Sequence, residues 1–158
     1  MFSHLDEKNN PQMVDVSQKT PTARVARAEG FIRLPPDLSL EGDELYTKKG
    51  PVFQTARLAG IMAAKKTAEL IPLCHTIALE DCAIYFSMPE TGLVRIEATV
   101  RATHKTGVEM EALVAVSTAA LTVYDMCKAF GQTMVIEQIR LLEKKGGKRD
   151  YEISLSSA

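Results

Sequence analysis

Nothing in this sequence approaches the run of roughly 20 apolar residues that a helix needs to span a bilayer, so a membrane-spanning role is set aside. Cysteine is scarce. Cys74, Cys82 and Cys127 form neither an even set nor a C-x-x-C pair, which argues against a disulfide framework and for a reducing compartment with free thiols. Metal-ligand spacing is missing as well: Cys74 and His75 are adjacent, so they project differently, and no second ligand pair stands at zinc spacing. No metal site is expected. An excess of one charge is also absent, because 19 Lys+Arg face 20 Asp+Glu for a formal net charge of −1. That balance excludes the broad positive field of a nucleic-acid binder, so any anion must be held locally. The opening MFSHLDEKNNPQ is polar and acidic, without the apolar core of a signal peptide. These absences together predict a cytoplasmic protein with no nucleic-acid and no membrane partner.

What is present fits a globular chain: 158 residues, 25% charged and 46% hydrophobic, enough to bury a core without staples. Residues 1–12 read as a loose tail, because apolar periodicity begins only at Met13-Val14-Asp15-Val16, and residues 13–158 read as a single domain. Arg24 to Leu34 alternates as a strand and stops at Pro35-Pro36. Asp37 to Tyr46 suggests a short helix, and Thr47 to Pro51 a turn with Pro51 at the first helical position. A helix follows from Val52 to about Ile71, ended by Pro72. Ile77 to Met88 and Leu93 to Ala102 read as two arms of a hairpin around Pro89-Glu90-Thr91-Gly92. In the second arm Val94, Ile96, Ala98 and Val100 share the core side. A long apolar helix then runs from about Val108 to Phe130, closed by Gly131. Its middle, Ala112 to Thr122, carries no charge, so it is expected to pack on a sheet and also against another chain. Met134 to Leu142 and Tyr151 to Leu155 are late strands around the basic turn Lys144 to Arg149. The order from residue 24 is β-α-β-β-α-β, which predicts an α+β, ferredoxin-like antiparallel sheet with two main helices on one face.

Four clusters could carry chemistry. Asp125 and Lys128, three apart, share a helix face beside an apolar stretch; they serve as a surface ion pair or as a proton-transfer pair with shifted pKa values. Lys105 to Glu111 brings Glu109 and Glu111 to a helix N-terminus, where the dipole alone favours carboxylates. If both are helical they point to roughly opposite sides, and only a non-helical Glu109 would let both meet one ligand. Leu73-Cys74-His75 follows a helix stop, where loops often hold catalytic groups, although a single His is more often structural. Lys48-Lys49-Gly50-Pro51 precedes a helix and offers cations beside free N–H groups, an anion site without Walker A spacing. Glu111 and Asp125 lie on nearly one face of one helix but about 21 Å apart at 1.5 Å per residue. If both serve one small substrate, copies of the chain must bring opposite helix ends together.

Met13-Val14-Asp15-Val16-Ser17, Lys49-Gly50, Phe53, Thr55-Ala56-Arg57, Ala59-Gly60-Ile61 and Ile71-Pro72-Leu73-Cys74-His75 stand in order along the chain. Lys105 to Leu113, Leu121 to Ala129 and Gly146-Gly147-Lys148 follow. Over residues 13–149 this pattern closely resembles the cyclic pyranopterin monophosphate synthase family of molybdenum cofactor biosynthesis. The resemblance implies a lyase acting on a cyclised GTP made by a radical SAM GTP cyclase, with pyrophosphate released. It also implies a homohexamer, a trimer of dimers with sites between subunits. By the same resemblance Asp125, Lys128 and Lys49 are catalytic. Leu73, Cys74, His75, Met110 and Glu111 bind substrate, with Glu109 accepting from guanine-like N–H groups and Arg24 meeting the triphosphate. No cofactor is firmly implied; Mg²⁺ with the triphosphate is the one ion the chemistry admits. Thr76, His104, Pro51 and Arg149-Asp150 depart from the family pattern and bear on loop shape, while the catalytic positions are intact. A nucleotide-sensing oligomer without turnover would use the same clustered cations and carboxylates.

Overall fold

The alternation at Arg24–Leu34 folds as β1 (Thr22–Arg33), the central strand of the molecule, in a computed structural model that describes residues 6, 8–38 and 40–153. The expected tail over residues 1–12 falls partly outside the described residues. After β1 come the two-residue strands β2 (Tyr46–Thr47) and β3 (Gly50–Pro51), then α1 (Val52–Ala64) and the single turn α2 (Thr67–Leu70). The hairpin β4 (Asp81–Glu90) and β5 (Leu93–His104) precedes α3 (Glu109–Cys127), and β6 (Val135–Lys145) and β7 (Tyr151–Glu152) close the chain.

Five strands make one sheet in the order β4-β5-β1-β6-β7, with every neighbouring pair antiparallel. The four longer strands follow the ferredoxin-like order, and α1 and α3 pack against each other and on the sheet. Val94, Ile96, Ala98 and Val100 of β5 are fully buried beneath the helices, as their alternation predicts. On α3 the buried set Ala112, Ala115, Val116, Ala119, Ala120 and Val123 is broad enough to meet both α1 and the sheet. By length and composition alone, Glu109–Phe130 is long and apolar enough to cross a membrane, which qualifies the expectation from run length. Its apolar side is occupied by the core instead.

Several expectations are corrected. The described residues between Asp37 and Tyr46 are not helical: the chain turns tightly through a Glu41–Glu44 bridge with Gly42 at φ +63°. The turn places the Glu44 carboxylate over the start of α1, where it accepts from the N–H groups of Phe53 at 2.7 Å and Gln54 at 3.1 Å. A carboxylate at a helix N-terminus satisfies orphan donors and suits the dipole. The anion site expected at Lys48–Pro51 is therefore already filled by the chain itself. The helix from Val52 also ends early, at Ala64; the chain steps through Lys65-Lys66, and the Thr67 hydroxyl donates to the Ala64 carbonyl oxygen at 2.9 Å before one further turn. Pro51 stands just before the first helical residue as the N-cap. The expected strand end at Leu155 lies outside the described residues.

Candidate functional site

At the C-terminal end of α3, Asp125 projects beside a small hairpin. The β2–β3 turn carries Lys49 to it, with the Lys49 N–H donating to the Thr47 hydroxyl at 3.2 Å. Lys49 Nζ lies 2.8 Å from Asp125 Oδ2 and also donates to the Asp125 backbone oxygen at 2.9 Å. On the other side Lys128 Nζ lies 2.7 Å from Asp125 Oδ1. Each carboxylate oxygen thus has its own ammonium. Hydrogen bonds first from Lys128 and then from Lys49 hold the Asp125 carboxyl down at about 2, and the same contact raises Lys128. The three side chains are about half exposed, so the cluster is open to an incoming ligand.

The other end of α3 borders a cavity of about 520 Å³ lined by Leu73, Cys74, His75, Glu109, Met110 and Glu111, among others. Glu111 is only 3% exposed, and burial pushes its carboxyl up to about 7. Burial, and secondarily Glu111, also raises the Cys74 thiol. His75 Nε2 sits 2.7 Å from the Val14 carbonyl oxygen, which can only accept, so Nε2 carries the proton. Glu109 is the first residue of α3, and its carboxylate reaches Lys144 on β6 at 3.0 Å. The expected opposition of the two carboxylates is overturned here: both residues are helical, Glu109 as the first residue of α3, and yet both line one cavity.

A second cavity of about 740 Å³ adjoins the first and shares Lys19, Thr106, Gly107 and Glu109 with it. Arg24 lines it from β1, donating to the His104 carbonyl at 3.1 Å and the Lys105 carbonyl at 3.2 Å. It is also lined by the end of β6, Lys144 and Lys145, and by the β6–β7 turn from Gly146 to Arg149. That turn is fixed by Gly146, at φ +88°, where any Cβ would overlap the Ala23 carbonyl oxygen. Lys19, Lys105, Lys144 and Lys148 here make a cationic wall that no sequence spacing displays. The one signal was compositional, a basic turn, and antiparallel pairing of β1 with both β5 and β6 brings it to Arg24. His104 accepts from the Thr106 N–H through Nδ1 at 3.4 Å; its ring is held below the usual histidine range by burial and then by His75, Lys105 and Arg24.

One chain therefore assembles two groups. Lys49, Asp125 and Lys128 meet at one end of α3; Leu73, Cys74, His75, Glu109, Met110 and Glu111 meet at the other, with Arg24 next door. Nothing within the protomer brings the two together. Among the described residues, no three His, Cys, Asp or Glu side chains gather as metal ligands.

The MoaC family matches over residues 13–147. Cyclic pyranopterin monophosphate synthase of Desulfatibacillum aliphaticivorans is 53% identical over 148 residues, 93% of each chain. The molybdenum cofactor biosynthesis bifunctional protein of Synechocystis sp. (strain ATCC 27184 / PCC 6803 / Kazusa) is 47% identical over 156 residues, 95% of this chain but 45% of that protein. Both groups of side chains lie inside the matched span, and the chain belongs to the MoaC family.

Proposed function

We propose that this chain is a cyclic pyranopterin monophosphate synthase: a lyase that converts (8S)-3′,8-cyclo-7,8-dihydroguanosine 5′-triphosphate to cyclic pyranopterin monophosphate and pyrophosphate in molybdenum cofactor biosynthesis. The observation that carries the reading is Asp125 held between two ammonium groups in a chain so similar to an enzyme of that name. An aspartate ionised this firmly starts as a proton acceptor, and the donors beside it are Lys128 and Lys49. As the purine's imidazole part opens and the pyranopterin closes, these three groups exchange protons with the substrate. Glu109 and Glu111 accept from guanine-like N–H groups, while Arg24 and His75 meet the triphosphate and the departing pyrophosphate.

The active unit in this reading is a homohexamer, a trimer of dimers, in which the Asp125 end of one subunit faces the Glu111 end of another. A cytoplasmic location suits a substrate made by a radical SAM GTP cyclase. No resident cofactor is involved; any Mg²⁺ arrives on the triphosphate, and enzyme treated with a chelator regains turnover when substrate and Mg²⁺ are supplied. The deciding experiment incubates the protein with the cyclised GTP and measures pyrophosphate and pterin together. Release of both in equal amounts supports the lyase. Tight binding with no release replaces it with a nucleotide sensor.

A further inference from the structure

The chain before β1 is not a free tail where it passes the cavities. Val14 and Val16 line the smaller one, and Lys19 lines both. Two side chains of the fold clip this segment: His75 Nε2 donates to the Val14 carbonyl at 2.7 Å, and the Lys105 ammonium donates to the Ser17 carbonyl at 2.9 Å. Within the segment the Ser17 N–H is held by Asp15 Oδ1 at 2.8 Å, and Lys19 N–H bonds to the Val16 carbonyl at 3.0 Å. It forms no sheet ladder; the two clips and the half-buried Val14 and Val16 tie it to the body of the fold.

Each clip leaves capacity for a ligand. An ammonium has three N–H donors and Lys105 spends one on Ser17, while His75 spends only Nε2 on Val14 and keeps a second ring nitrogen, Nδ1. Arg24 holds the Lys105 carbonyl, so the root of that side chain is already positioned. We propose that residues 13–20 are a lid which closes over the bound nucleotide, with Lys105 a further anion-binding residue that ties lid and phosphates together. The proposal rests on the substrate class given above. A polyphosphate drawing on Lys105 and His75 restrains both clips, and a segment held by few contacts gains the most from such restraint.

Amide hydrogen exchange on the full chain, free and saturated with GTP or with pyrophosphate, tests this, with saturation established separately by calorimetry. Protection at residues 13–20 is expected to rise by about tenfold or more with GTP. Lys105→Met is expected to lose that rise and Lys105→Arg to keep much of it. Unchanged or weaker protection in the saturated wild type overturns the lid, whatever the variants do. The two readings fail separately: turnover of the cyclised GTP with no change at residues 13–20 removes the lid alone, while protection without pyrophosphate release removes the lyase alone.

Discussion

Asp125 and Glu111 are two carboxylates of one helix driven in opposite directions by their surroundings. Asp125 has an ammonium on each oxygen and titrates at about 2, so its contribution to stability is present above the unfolded carboxylate range and is lost as pH falls through about 2. Glu111 is buried and titrates at about 7, so the folded chain binds its proton more tightly than the unfolded chain does. The penalty for ionising it is absent below the ordinary glutamate value of 4.5, grows as pH rises, and is complete above about 7. Glu111→Gln is therefore expected to be more stable than the parent at pH 8, by on the order of 1–3 kcal/mol, and little different near pH 5. Chemical denaturation at the two pH values measures it, and a variant less stable at pH 8 would show that the carboxylate has partners beyond those seen here. Lys128→Ala is a test of a different kind. Its side chain is exposed, so the melting temperature should hold while kcat falls by roughly 10²–10⁴. An active variant would remove Lys128 from proton transfer.

The contact between α1 and α3 depends on small side chains. The buried face of α1 is Val52, Phe53, Ala56, Gly60 and Ala64, and a Cβ on Gly60 would come within 2.8 Å of the Ala115 carbonyl oxygen and 2.5 Å of Ile84 Cδ1. Alanine is favoured over glycine inside a helix by about 1 kcal/mol, but overpacking a close contact costs about 1–3 kcal/mol. Gly60→Ala is accordingly expected to lower stability, and a raised melting temperature would mean that the helices can separate without loss. Elements of this kind differ in how far the sequence announces them. The period-two alternation of β5 and the uncharged middle of α3 were readable because one residue pattern serves one burial pattern. Asp37 to Tyr46 reads as helix by sequence, whereas the Glu41–Glu44 turn serves a distant need, the Glu44 cap on α1, which no local propensity records. The break after Ala64 was hidden for a related reason, since Lys65 and Lys66 are good helix formers and only the Thr67 bond to Ala64 marks the step. At the site, Asp125 with Lys128 was legible as spacing on one helix. The wall of Lys19, Lys105 and Lys144 was not, because it is gathered from three places by strand pairing.

On the scale of the whole molecule, the decisive fact is the distance along α3. Asp125 and Glu111 stand at opposite ends of a 19-residue helix, about 21 Å apart at 1.5 Å per residue, and each belongs to its own cluster. A substrate the size of a nucleotide triphosphate cannot be worked on by both ends of one rigid helix. Leu58, Met62 and Leu121, all more than half exposed, add apolar surface on α1 and α3 of the kind that subunits cover in one another. If a site joins the Asp125 end of one copy to the Glu111 end of a second, lesions at the two ends belong to different sites in a mixed pair. Asp125→Asn paired with Glu111→Gln leaves one site with both defects and one with neither. Each variant alone should then be nearly inactive, and an equal mixture, after subunit exchange verified by native mass spectrometry, should recover about a quarter of wild-type turnover under random pairing. A site confined to one protomer predicts no recovery at any mixing ratio, so a verified exchange that restores nothing would refute the shared site.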